Sequence, residues 1–305
     1  MTSLQDSPTL FVLLGPTAVG KTDLALKVAE LLGSPIINAD SRQIYQQIPI
    51  GTAAPSADQL QKVRHYFVGT LELDQYFSAA AYEQQVMELL PSLFRQSPNI
   101  LLTGGSMLYI DAVCSGIDDI PTIEAETRVL MRQRLADDGL DKLTAELRLL
   151  DPDYYRKADL RNTQRIVHAL EVCYQTGRPY SSFLSQTSKQ RPFRIIKIGL
   201  NRQREELFGC INQRTLQMLD LGFEHEARSV YPLRHLNSLN TVGYKEMFRY
   251  IDGEWSLEQA VEKIQRNTRV YAKKQMTWFQ RDADIRWFHP QEEGKILDFV
   301  RQSLN

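Results

Sequence analysis

The chain has 305 residues, 43% of them hydrophobic and 24% charged, which is enough for a full core and for a main domain carrying a substantial insertion. Its 36 Lys and Arg balance 37 Asp and Glu to a net charge of -1, which excludes a uniformly basic nucleic-acid coat but leaves local clustering open. Three scattered cysteines, Cys114, Cys173 and Cys210, with no C-x-x-C, point away from a disulfide framework or a zinc site and toward a reducing, cytoplasmic setting.

The start, MTSLQDSPTLFVLLG, places an acidic residue before a very short apolar run and is read as uncleaved. No later segment approaches the roughly 20 apolar residues of a membrane span. Residues 9–14, TLFVLL, have the continuous apolar pattern of a strand buried on both faces, and Leu24, Leu26, Val28, Leu31 and Leu32 then recur at helical spacing. Between them, Gly15-Pro16-Thr17-Ala18-Val19-Gly20-Lys21-Thr22 has the spacing G-x-x-x-x-G-K-T. In such a loop the amides turn toward phosphate oxygens beside a helix N-terminus, the lysine adds a cation, and the threonine hydroxyl suits Mg²⁺. The loop predicts a bound di- or triphosphate; a kinase, an ATPase and an enzyme expelling diphosphate all fit it.

A second apolar run, PIINAD, ends on Asp40, and a third, NILLTGGS, ends on a glycine pair and Ser106. In a parallel sheet, carboxyl ends are where ligands bind. Asp40 suits Mg²⁺ held through water and general-base work equally, and it could also cap the next helix with Ser41. Gln43 and Tyr45 could read or stack on a base, or lie on the surface. Ser106 has no G-x-S-x-G elbow around it.

From about 115 to 193 the apolar spacing becomes helical, as in AETRVLMRQRLADDGLDKLTAELRLL and NTQRIVHALEVCYQTG; FRIIKIGL then reads as a return to the sheet, with further helices beyond. The expected fold is α/β: a parallel-sheet core of the P-loop nucleoside-triphosphate-hydrolase type, its first part at 1–114 and its second at 195–305, with an all-helical insertion at 115–194. No acid occurs from Val172 to Arg204, where Arg178, Lys189, Arg191, Arg194, Lys197, Arg202 and Arg204 do, nor in KIQRNTRVYAKKQMTWFQR at 263–281. In the latter, Arg266, Arg269 and Lys273 fall on one helical face. Cations beside aromatics predict a folded RNA as partner.

GPTAVGKT, ADSRQIYQQIPIGTAAPS, LLTGGSMLYI, QRIVHALEV, TVGYKEM and NTRVYAKKQMTWF occur in the order found in tRNA dimethylallyltransferases, and the chain resembles that family from about Thr9 to Phe279. The resemblance implies transfer of a dimethylallyl group from dimethylallyl diphosphate to N6 of adenosine 37 in tRNAs reading codons that begin with U. The product would be N6-(dimethylallyl)adenosine. The inserted domain would grip the anticodon stem-loop, and the loop from Gly15 to Thr22 would hold the diphosphate, with Mg²⁺ on Thr22. By the same resemblance Asp40 accepts the N6 proton, and Gln43 helps read the base with Ser41 and Arg42 nearby. Ser106 keeps a hydroxyl where the family has threonine, and Arg214 binds diphosphate. Arg128, the segment Gln164, Arg165, Ile166, Val167 and His168, the segment Asn240, Thr241, Val242, Gly243, Tyr244 and Lys245, and Lys273 would touch tRNA.

The chain departs from the family pattern at Arg161, Asn162 and His168, is looser at VRHYFVG, and shows no cysteine/histidine extension after Phe279. A cytoplasmic monomer is expected. Rival expectations are an adenylate isopentenyltransferase acting on free AMP, ADP or ATP, a small-molecule kinase, and a P-loop RNA-binding protein without transferase activity.

Overall fold

The computed structural model describes residues 7–184 and 188–304. Residues 1–6, which carry the expectation of an uncleaved start, lie outside the described residues. The elements run β1 (Thr9–Leu14), α1 (Lys21–Leu32), β2 (Ile36–Ala39), α2 (Ala57–Lys62), β3 (His65–Tyr66), α3 (Ala79–Phe94), β4 (Asn99–Gly104), α4 (Met107–Ser115), α5 (Ala125–Leu150), α6 (Pro152–Lys157), α7 (Thr163–Thr176), β5 (Arg194–Leu200), α8 (Arg204–Asp220), α9 (Phe223–Val230), α10 (Tyr244–Ile251), α11 (Leu257–Phe279), β6 (Ile285–Phe288) and α12 (Glu293–Gln302). The chain divides into two compact units, Met1–Ser115 with Gln190–Asn305, and Gly116–Lys189. No helix among the described residues is long and apolar enough to cross a membrane.

The first unit contains a wholly parallel six-stranded sheet in the order β3-β2-β4-β1-β5-β6. β1 is central, between β4 and β5, and all six of its residues are buried. That explains its uninterrupted apolar sequence: Leu10, Val12 and Leu14 face one core with α3 and α4, whereas Phe11 and Leu13 face the other with α1, α8 and α12. A third core joins Ile44, Tyr45 and Ile48 to α9, α10 and the start of α11. α11, 23 residues and so about 35 Å long, contributes to all three: Ile264 to the third, Ala272 to the second and Phe279 to the first.

The second unit is helical. Met131, Leu143 and Leu147 of α5 pack on Ile166, Ala169 and Leu170 of α7. α5 is broken at Gly139 (φ 78°, ψ 168°), within what reads in sequence as one continuous helix. Asp151, 1% exposed, caps α6 through the Tyr154 amide (2.9 Å) and takes both the amide and the hydroxyl of Ser181 (2.6 and 2.7 Å).

Residues 190–194 were expected in the insertion but belong to the first unit. Arg191 donates to Glu83 (2.6 Å) and to the carbonyls of Ala112 (2.5 Å) and Val113 (2.9 Å), with both ionic side chains 8% exposed. Removing one partner of a buried, multiply bonded pair leaves the other charge stranded. Arg191→Ala is therefore expected to destabilise the first unit by about 3–5 kcal/mol in urea denaturation; a loss below about 1 kcal/mol would show that the pair is dispensable.

Candidate active site

The loop after β1 turns at Ala18 (φ 62°) and Gly20 (φ 103°), the latter capping α1. The positive φ at position 20 is one an L side chain resists, which is why the motif has glycine there. Lys21 folds its ammonium back onto the carbonyls of Gly15 (3.0 Å) and Pro16 (2.8 Å). Burial pulls its pKa down to about 8, against the favourable charge of Asp40 and with a smaller contribution from Arg214. Thr17 is held twice: its amide donates to Gln275 Oε1 (2.9 Å) and its hydroxyl accepts from Arg214 (2.7 Å). Gln275, buried in α11, also donates to the Gly105 carbonyl (2.7 Å). It thereby ties the turn after β1 to the turn after β4. A single amide in a basic helix gave no sequence signal for this role.

These residues line a cleft of about 430 Å³ that includes Thr17, Ala18, Gly20, Lys21, Thr22, Asp40, Gln43 and Arg214. Pro16 and Val19 are buried, and Val19 gives its side chain to the core, so they serve the cleft through the backbone. The Arg214 guanidinium has its pKa lowered by burial, opposed by Asp40.

Asp40 follows β2. Its Oδ1 accepts from the amides of Arg42 (2.9 Å) and Gln43 (3.3 Å), while Oδ2 has no hydrogen-bond partner among the described residues. The turn-capping role and an available oxygen thus coexist in one carboxylate. Ser106 Oγ, 8% exposed, accepts from the Ser41 amide (2.8 Å), and the Ser106 amide donates to the Ala39 carbonyl (3.1 Å). Ser106 binds the turns after β2 and β4 to each other and does not line the cleft. Gln43 donates to the carbonyls of Thr52 (3.1 Å) and Ala53 (2.9 Å), and Arg42 to those of Asn237 (3.0 Å) and Ser238 (3.1 Å). Tyr45 is not a surface residue: it is 6% exposed and lies in the third core.

A second cavity, about 320 Å³, adjoins the first, and both are lined by Thr17, Asp40, Thr52, Arg214 and Tyr271. Its other wall holds Ser41, Arg42, Asn240, Thr241, Val242, Gly243 and Lys245. Within GYKE, Glu246 accepts from the Gly243 amide and from Asn267 (both 2.7 Å), fastening α10 to α11. Tyr244, grouped with the RNA-facing residues in sequence, is fully buried; it packs edge-on against Phe223 (5.2 Å) and donates to Glu226, which also takes the amides of Ile50 and Gly51 (2.7 Å each). A Cβ at Gly51 would come within 2.3 Å of the Tyr244 hydroxyl, so that close approach requires glycine. Lys245 is left exposed at the cavity wall, its ammonium without a partner among the described residues.

Along α11, Arg266 and Lys273 are exposed, but Arg269 is half-buried against α8, bonding Asn212 (2.7 Å) and lying over Phe208 (5.6 Å). The other basic stretch does not form one surface. Arg191 pairs with Glu83 and Lys197 with Asp282 in the first unit, whereas Lys189 pairs with Asp119 in the second. In the second unit Arg128 stands in the first turn of α5; Gln164 and Arg165 are exposed at the start of α7, Val167 is half-buried, and His168 contacts Glu171 (3.3 Å). Ile166 is 0% exposed, so its side chain packs the core and presents nothing to a partner.

A phosphate loop, a carboxylate two strands away on the same carboxyl edge of the sheet, and two adjoining cavities define a P-loop enzyme site. The sequence pattern of the IPP transferase family matches residues 43–282, and the chain belongs to that family. It is 60% identical over 294 residues to tRNA dimethylallyltransferase 1 of Bacteroides thetaiotaomicron, covering 96% of each chain. A crystal structure of the full-length tRNA isopentenylpyrophosphate transferase from Bacillus halodurans is similar at a TM-score of 0.70 and 31% identity, over 97% of both chains. The structure of a eukaryotic dimethylallyltransferase acting on tRNA shares the fold, with a TM-score of 0.82 at 21% identity, over 97% of this chain and 80% of that one.

Because the Lys21 pKa is held down at about 8, its charge is lost as pH rises through that value. Affinity for an alkyl diphosphate is expected to fall above pH 8 by up to about tenfold per pH unit, and Lys21→Met is expected to bind weakly without that break. Calorimetric titration between pH 7 and 9.5 checks it; an unbroken profile in the unmodified protein would contradict the assignment.

Proposed function

We propose that the protein transfers a dimethylallyl group from dimethylallyl diphosphate to N6 of adenosine 37 in tRNAs reading codons that begin with U, with release of diphosphate. The carrying observation is the meeting of two cavities at Asp40, one walled by the phosphate loop and the other by Asn240–Lys245. The donor's diphosphate occupies the loop side and the extruded adenine the other, with little unstacking cost because the base lies in an unpaired loop. The N6–carbon bond forms as the allylic carbon–oxygen bond breaks; the N6 proton passes to Asp40 Oδ2, and the electron pair leaves on diphosphate. Lys21, Arg214 and the loop amides stabilise that growing charge.

Thr22, an exposed residue, lines the cleft with Asp23 and Asp40, and all three carry oxygen donors of the kind Mg²⁺ takes. No cluster of three acidic, histidine or cysteine side chains that could hold a metal occurs among the described residues, so an ion here would share ligands with the diphosphate and water. When bound, Mg²⁺ would add Lewis-acid stabilisation of the leaving group. Arg128, Gln164 and Arg165 of the helical unit, with Lys245 and Lys273 of the core, are the RNA-facing cations and donors in this reading. Ser106 supports the chemistry by holding the turn that carries Asp40. Both cavities lie within one unit, and a monomer and, from the tRNA acceptor, a cytoplasmic location belong to the same reading.

Asp40→Asn is expected to lower kcat by about 10²–10⁴-fold and to leave anticodon stem-loop affinity within about twofold, in single-turnover and filter-binding assays. Normal turnover by that variant would remove Asp40 from the base role. Lys273→Ala is expected to weaken stem-loop binding and flatten its salt dependence, with donor KM unchanged; an unaltered salt slope would take Lys273 off the RNA surface.

A further inference from the structure

Arg202 belongs by sequence to the acid-free stretch that suggests RNA, yet it lines the phosphate cleft. The reason is topological. β5 lies beside β1 in parallel, with Leu14 opposite Gly199, so the chain leaving β5 runs along the phosphate loop; a Cβ at Gly15 would come within 2.7 Å of the Leu200 carbonyl. Arg202 Nε donates to the Val19 carbonyl (2.9 Å), and Nη1 is held by Glu206, whose other oxygen contacts His289 Nε2 (2.9 Å). The side chain is 16% exposed. Nη2 has no partner among the described residues and lies next to Gly20, 3.5 Å from where a Cβ would stand, at the N-terminus of α1.

Resting on the proposed function, we propose that Arg202 is a further diphosphate-binding residue, its Nη2 contacting the phosphate at the α1 end of the loop. Arg214 engages the loop at Thr17 and Arg202 at Val19 and Gly20, so the two guanidinium groups meet the loop at different points of a cleft that Lys21 also lines. A diphosphate carries more negative charge than Lys21 and Arg214 together neutralise. Glu206 positions the guanidinium and leaves one edge open to the cleft, the geometry in which charge-assisted hydrogen bonds to phosphate form.

The test is calorimetric binding of inorganic pyrophosphate with Mg²⁺ at pH 7.5, donor KM with an anticodon stem-loop as acceptor, and thermal unfolding, for the unmodified full chain, Arg202→Ala and Arg202→Lys. The expected result is about a ten- to hundredfold loss of pyrophosphate affinity and a matching rise in donor KM for Arg202→Ala, with acceptor KM unchanged and unfolding still cooperative and well above the assay temperature. Arg202→Lys should recover part of the loss, because the charge is restored without the bond to Val19. Arg202→Ala binding within twofold of the unmodified protein would overturn the inference. Equal losses in both variants would also overturn it, by assigning Arg202 to shaping the loop through Val19. Failure of the unmodified protein itself to bind pyrophosphate would overturn the donor-site reading, and the inference with it.

Discussion

Backbone amides that converge on an anion repel one another, so a phosphate loop keeps its shape only if its surroundings hold it. Here the hold is on Thr17, whose amide is taken by Gln275 of α11 and whose hydroxyl is taken by Arg214 of α8. Gln275 reaches on to Gly105, and Ser106 next to it holds the Ser41 amide beside Asp40. The turns after β1, β4 and β2, from three neighbouring strands, are thus fixed to one another by side chains. The distance from phosphate loop to Asp40 follows from those bonds.

This arrangement separates two kinds of residue that look alike in sequence. In GYKE, Tyr244 packs the third core and Glu246 joins α10 to α11, while Gly243 and Lys245 line the cavity. Among the basic residues, Arg191, Lys197 and Arg269 spend their charge inside the fold, whereas Arg266 and Lys273 remain on the surface. The second cavity has Arg42, Arg214 and Lys245 as its lining cations, which under the proposed function suits recognition of one RNA loop better than coating of a long duplex.

Much of the core was legible in the sequence. β1, β2 and β4 are largely apolar runs because their neighbours bury both faces, β5 is legible from its apolar stretch around Lys197, and the phosphate loop declares itself through its spacing between a strand and a helix. β3 and β6 escaped because two- and four-residue edge strands bear no periodicity. Tyr45, Ile166 and Tyr244 are buried in the structure, which their place in a motif does not reveal, because motif residues serve the fold as readily as the ligand. Arg202 and Gln275 could not be placed from sequence at all, since what matters is which strand end and which helix pass beside the loop.

Under the proposed function the loop holds the leaving group of an alkyl donor while RNA supplies the nucleophile. The direct measurement is mass analysis after incubating the protein with Mg²⁺ and dimethylallyl diphosphate, with either an anticodon stem-loop bearing adenosine at position 37 or free AMP. The expected product is N6-dimethylallyl adenosine in the RNA, with diphosphate released in equal amount and AMP unmodified. Prenylated AMP with unmodified RNA would contradict it.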